Sequence, residues 1–92
     1  MIVHESSYRI WLEARGVGAE DRVASSPASY VSYLRVVSVL LGENLSPENL
    51  ADEADVLRIL DQIRKLRSTK TIRNYGSSLR QYVAMVQAGA HP

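Results

Sequence analysis

The 92-residue chain contains no cysteine, which excludes a disulfide framework and every zinc site built on thiolates. Histidine is almost as scarce. His4 and His91 stand near opposite termini, so neither a catalytic triad nor a local two-histidine metal site is written into the order of residues. Long apolar runs are missing as well: the longest, such as Val39-Leu40-Leu41, fall far short of the roughly 20 residues that span a bilayer. His4 and Glu5 stand where an export signal would need its apolar region, so the expectation is a soluble cytoplasmic protein without membrane association. No stretch keeps the period-two alternation of a strand for more than a few residues, and no internal repeat or low-complexity tract is present. Gly16-Val17-Gly18 has no strand before it and no third glycine after it, so the dinucleotide fingerprint fails and a flexible loop over Gly16 to Ser25 is expected.

What remains is ordinary globular material, 46% hydrophobic and 23% charged, enough for a single helical domain over residues 1–92 with one modest core. Four helices and one short turn are expected. The first covers about 7–15, with Tyr8, Trp11, Leu12 and Arg15 on one stripe and Gly16 as its stop. Ser26-Pro27 reads as an N-cap followed by proline at the first helical position. It opens a second helix over 27–42 that carries Tyr30, Tyr33, Leu34, Val37, Leu40 and Leu41. Ser46-Pro47-Glu48 starts a short turn over 47–50, and a third helix follows over 52–66 with the stripe Val56, Leu57, Leu60, Ile63 and Leu66. The fourth, over 69–88, is capped by Ser68 or Thr69 and stopped by Gly89, beyond which the tail should fray. Its apolar face is Ile72, Tyr75, Leu79, Tyr82, Val83 and Val86. Gly76 lies at the edge of that face, where a neighbouring helix could come close.

Charge is distributed unevenly. Residues 1–61 hold five arginines against all ten acids, a net −5, whereas residues 62–92 hold six cations and no acid. Glu48, Asp52, Glu53 and Asp55 crowd the start of the third helix, where the helix dipole favours anions. That explains them better than a metal site does, and neither metal nor cofactor is expected. The five tyrosines all fall on or beside apolar stripes and read as packing residues with hydroxyls at the rim. The sharp signal is on the fourth helix, where Lys70, Arg73, Ser77 and Arg80 form a three-turn stripe opposite the apolar face. Asn74 and Gln81 lie alongside, with Thr69 and Thr71 at the helix start. Arginine and lysine neutralise phosphates or read guanine, and asparagine reads adenine, so this mixture suits duplex DNA. Arg64, Lys65 and Arg67 at the end of the third helix extend the same basic set.

Ser68-Thr69-Lys70-Thr71-Ile72-Arg73-Asn74-Tyr75-Gly76-Ser77-Ser78-Leu79-Arg80-Gln81-Tyr82 resembles the last helix of the N-terminal core-binding (SAM-like) domain of tyrosine recombinases and phage integrases. Tyr8-Arg9-Ile10-Trp11-Leu12, Ser29-Tyr30-Val31-Ser32-Tyr33-Leu34 and Asp55 to Leu66 resemble its earlier helices in order and length. Similar modules open some restriction endonucleases. The resemblance implies an all-α, compact bundle that clamps duplex DNA with its second and last helices. It points to Lys70, Thr71, Arg73, Asn74, Ser77 and Arg80, with Arg35 as the one base on the second helix. The chain stops where such a recombinase begins its catalytic domain. The implied role is therefore non-catalytic, as a stand-alone protein or as the DNA-binding part of a larger enzyme. A small protein-interaction module, docking on another protein of a nucleic-acid machine without touching DNA, is the alternative.

Overall fold

The computed structural model describes residues 1–16 and 26–92 and contains four helices: α1 (Glu5–Ala14), α2 (Pro27–Leu41), α3 (Glu53–Ile63) and α4 (Thr69–Gln87). Three of them start at a side chain that accepts one of the backbone N–H groups a helix leaves unpaired. Ser26 accepts from the Ser29 N–H, Asp52 from Asp55 and Ser68 from Thr71. The first helix differs. His4 precedes it in the left-handed conformation, with φ 62° and no side-chain cap. Helix α1 thus begins two residues before Ser7. The expected loop over Gly16 to Ser25 lies, beyond Gly16, outside the described residues.

The all-α bundle expected from periodicity is the observed architecture. Helix α4 packs against each of the other three. The radius of gyration is 12.1 Å, close to the ~12 Å of a compact chain of this length. Tyr8, Leu12, Leu34, Val37, Ile59, Ile63, Leu79 and Tyr82 are fully buried at its centre. Among the described residues there is no strand, only an isolated parallel bridge between Ile2 and Leu45 that ties the N-terminal segment to the α2–α3 connection. No helix among the described residues is long and apolar enough to cross a membrane.

Several expectations need correction. Helix α3 ends at Ile63, three residues early, and residues 64–66 form a turn closed by the Leu66 N–H on the Ile63 carbonyl. The reason is local: Ser68 must leave helical geometry to cap α4, so the chain has to turn between Ile63 and Ser68. Leu66, beyond the helix end, is consequently 51% exposed; Leu57 lies on the outer face of α3 at 53%, and Ile59 takes the core position between Val56 and Ile63. The hydroxyls of Tyr8 and Tyr82 are not at the rim. Tyr8 Oη donates to the Ser78 carbonyl at 2.7 Å and Tyr82 Oη to the Val3 carbonyl at 2.7 Å. Burial raises the Tyr8 phenol far above its ordinary value and pushes Tyr82 up to about 12, with the Glu48 charge adding to the latter. Both therefore stay protonated donors at neutral pH. The tail returns toward the N-terminal segment. Gly89 turns left-handed (φ 67°), the Ala90 N–H reaches the Met85 carbonyl, and the His91 ring lies 5.0 Å from that of His4.

Candidate nucleic-acid interface

The Ser68 cap fixes where α4 begins and so sets which of its residues face outward. Ser68 Oγ, besides accepting from the Thr71 N–H, lies 3.0 Å from Thr71 Oγ1, so the Thr71 hydroxyl belongs to the cap. From this start Lys70, Arg73, Ser77 and Arg80 all emerge exposed, and Asn74 is half-buried. At 1.5 Å rise per residue the stripe is about 15 Å long. Ser77 Oγ donates back to the Arg73 carbonyl. The α3–α4 turn brings Arg64, Lys65 and Arg67 to the N-terminal end of this stripe, all exposed. The expected site residues therefore fall on two segments that adjoin in the chain, the α3–α4 turn and α4.

They are not electrostatically equivalent. Arg80 forms a forked pair with Glu53 in the first turn of α3: Nε lies 2.9 and 3.2 Å from the two carboxylate oxygens, and Nη2 lies 2.9 Å from Oε2. That guanidinium holds the Glu53 carboxyl below its ordinary 4.5, against a smaller opposing effect of burial. An acid from the acid-rich part of the chain thus covers the far end of the basic stripe at Arg80. Arg64 approaches Asp61 one turn earlier at 3.6 Å, a loose and exposed contact. Arg67 Nη1 donates to the Leu66 carbonyl, which orients the side chain but leaves its charge uncompensated. Lys65, Lys70 and Arg73 make no side-chain hydrogen bond or ion pair among the described residues. Four cations, Lys65, Arg67, Lys70 and Arg73, are therefore exposed without an acidic partner among the described residues.

Two other polar residues read from the sequence are engaged elsewhere. Arg35 is clamped by Glu5 at 2.7 and 2.8 Å, so α2 presents no free base. Gln81 accepts from the Trp11 indole N–H at 3.1 Å and anchors α1 to α4. The acids of the 48–55 group do not share a centre. Asp52 caps α3, Asp55 Oδ2 accepts from the Ala51 N–H, and Glu53 holds Arg80. No group of three or more potential metal ligands is assembled among the described residues.

Sequence reasoning missed Glu53 as the partner of Arg80, although a signal was present. On the 100° helical wheel Arg80 lies only about 40° from Gly76 at the edge of the apolar face, whereas Lys70 lies opposite its centre. An arginine at such an edge leans toward the neighbouring helix. Comparison with family models, curated proteins and solved structures finds no significant match for this chain.

Proposed function

We propose that this chain binds double-stranded DNA through the α3–α4 corner and the first half of α4, in the manner of a core-binding, SAM-like module and without a catalytic step of its own. The observation that carries the reading is the cluster Lys65, Arg67, Lys70 and Arg73, four exposed cations with no acidic partner among the described residues. Acids outnumber bases two to one before residue 62, yet those that pair do so mainly with arginines outside this cluster. A self-neutralising surface would have spread them over the corner. Phosphate contacts from such a row supply affinity and register, and Asn74 and Ser77 beside it are the polar side chains that would meet base edges. The role is that of an integrase-like or restriction-endonuclease-type DNA-binding domain, acting alone or joined to a catalytic domain, in the cytoplasm.

One observation favours the protein-interaction alternative. A groove of about 420 Å³ runs between α1 and the returning tail, lined by Ile10, Trp11, Ala14 and Pro92 among others. Ile10 is 67% exposed beside it. The two readings separate by charge reversal. Lys70→Glu with Arg73→Glu should weaken binding of a labelled random duplex by at least about tenfold. Arg9→Glu with Arg15→Glu, the same change in net charge on α1, should leave it nearly unchanged. Equal losses in the two double variants would mean that overall charge, not this face, attracts DNA.

A further inference from the structure

Arg80 occupies the far end of the basic stripe, yet it is the one member held by a well-formed ion pair. The geometry of that pair is built rather than incidental. Gly76, one turn before Arg80, has no side chain, and a Cβ there would stand 3.1 Å from Arg80 Nη1 and 3.3 Å from Leu60 Cδ1. The guanidinium therefore lies back across the bare backbone of Gly76 toward α3, where the first-turn Glu53 meets it with both oxygens. A guanidinium fork matches a carboxylate and a phosphate equally well, because both present two oxygens in a plane. The occupant of the Arg80 fork in the free protein is thus a chemical substitute for the phosphate the same fork would hold on DNA. Arg80 is 50% exposed and Glu53 55%. Water already reaches both, and an exposed pair of this kind is held weakly enough to exchange.

We propose that Glu53 is a built-in competitor for DNA phosphate at Arg80, so that the carboxylate sets how much Arg80 contributes to duplex affinity. The proposal rests on the DNA-binding reading above and adds a regulating residue to that site. Binding exchanges one ion pair for another. The Glu53 carboxylate leaves the guanidinium for water, and a backbone phosphate takes its two hydrogen bonds. With Glu53 in place, Arg80 adds little, because gaining the phosphate means losing the carboxylate. Without the acid, Arg80 joins Lys65, Arg67, Lys70 and Arg73 as a fifth outward cation.

The test is a double-mutant cycle on the full chain, read by fluorescence anisotropy of a labelled random duplex at two salt concentrations. Circular dichroism melts confirm that each variant folds. Glu53→Gln should tighten binding about three- to fivefold, the most that releasing an exposed ion pair can return. It should also steepen the logarithmic salt slope by about 0.9, the release of one more counterion. In an Arg80→Gln background the same Glu53→Gln change should bring less than about a twofold gain, with no change in slope. If Glu53→Gln tightens binding equally with and without Arg80, the glutamate acts only as a distant negative charge and the competition is disproved. An unchanged Kd for Glu53→Gln also overturns it, and the DNA-binding reading survives provided Lys70→Glu with Arg73→Glu still abolishes binding. If no variant binds duplex at any salt, both fall together.

Discussion

Glu5 and Glu53 stand in the same situation on different sides of the bundle. Each lies in the first turn of a helix, and each is clamped by an arginine from a neighbouring helix. At Glu5 the hydrogen bonds from Arg35 hold the carboxyl below its ordinary 4.5, with partial burial pulling weakly the other way. A carboxyl whose folded pKa lies below its unfolded one stabilises the fold fully above the unfolded value and loses that contribution as pH falls through the folded value. Wild type should therefore melt above Glu5→Gln at about pH 7, and the gap should close as pH falls below about 4.5. Paired thermal melts across that range check it. A gap that stays constant would mean the ion pair contributes nothing and the substitution acts through packing. Tyr8 and Tyr82 illustrate the other residue-scale rule, that a buried polar atom must be matched. Their hydroxyls end on backbone carbonyls, and no buried side-chain polar atom among the described residues lacks a partner.

At the scale of elements, the contact between α3 and α4 turns on Gly76. Glycine inside a helix costs about 1 kcal/mol relative to alanine, and here the missing side chain gives room for Leu60 from α3 and for the Arg80 guanidinium. A branched side chain at this position has to displace the largely buried Leu60. Gly76→Val should accordingly destabilise the fold by about 1–3 kcal/mol, the cost of overpacking, as measured by urea denaturation. No loss of stability would show that the two helices are not in close contact there.

The same element shows which features could be read ahead of the structure. The starts of α2 and α4 were readable because a serine cap is a signal contained in three or four residues, and the closing Gly42 and Gly89 are equally local. The apolar face of α4 followed from its period, and Gly76 at its edge marked the close approach. The end of α3 was not readable, because its stripe continues in sequence through Leu66 while the demand of the next cap breaks the helix at Ile63. Partnerships across the bundle were hidden for a related reason. Glu53 and Arg80 are 27 residues apart, and Trp11 and Gln81 are 70 apart. Periodicity assigns a residue to a face but says nothing about what sits opposite. The basic site was thus visible as a set of residues, and its division into free and compensated cations was not.

On the scale of the whole molecule, the chain separates its charges in sequence and then partly rejoins them in space. Arg9, Arg35, Arg58 and Arg80 each meet an acid, and Arg64 meets one loosely. The corner formed by the α3–α4 turn and the start of α4 keeps four cations that are unpaired among the described residues, a local excess of positive charge although the net charge is only +1. Global attraction to a polyanion is weak at such a net charge, and affinity must come from this local surface. The most direct test is the salt dependence of duplex binding by the unmodified chain. Four phosphate contacts correspond to a logarithmic slope near −3.6, or roughly a 100-fold loss of affinity between about 50 and 200 mM salt. A slope close to that value is the expected result, whereas binding that ignores salt, or no duplex binding even at the lowest salt, would contradict the account.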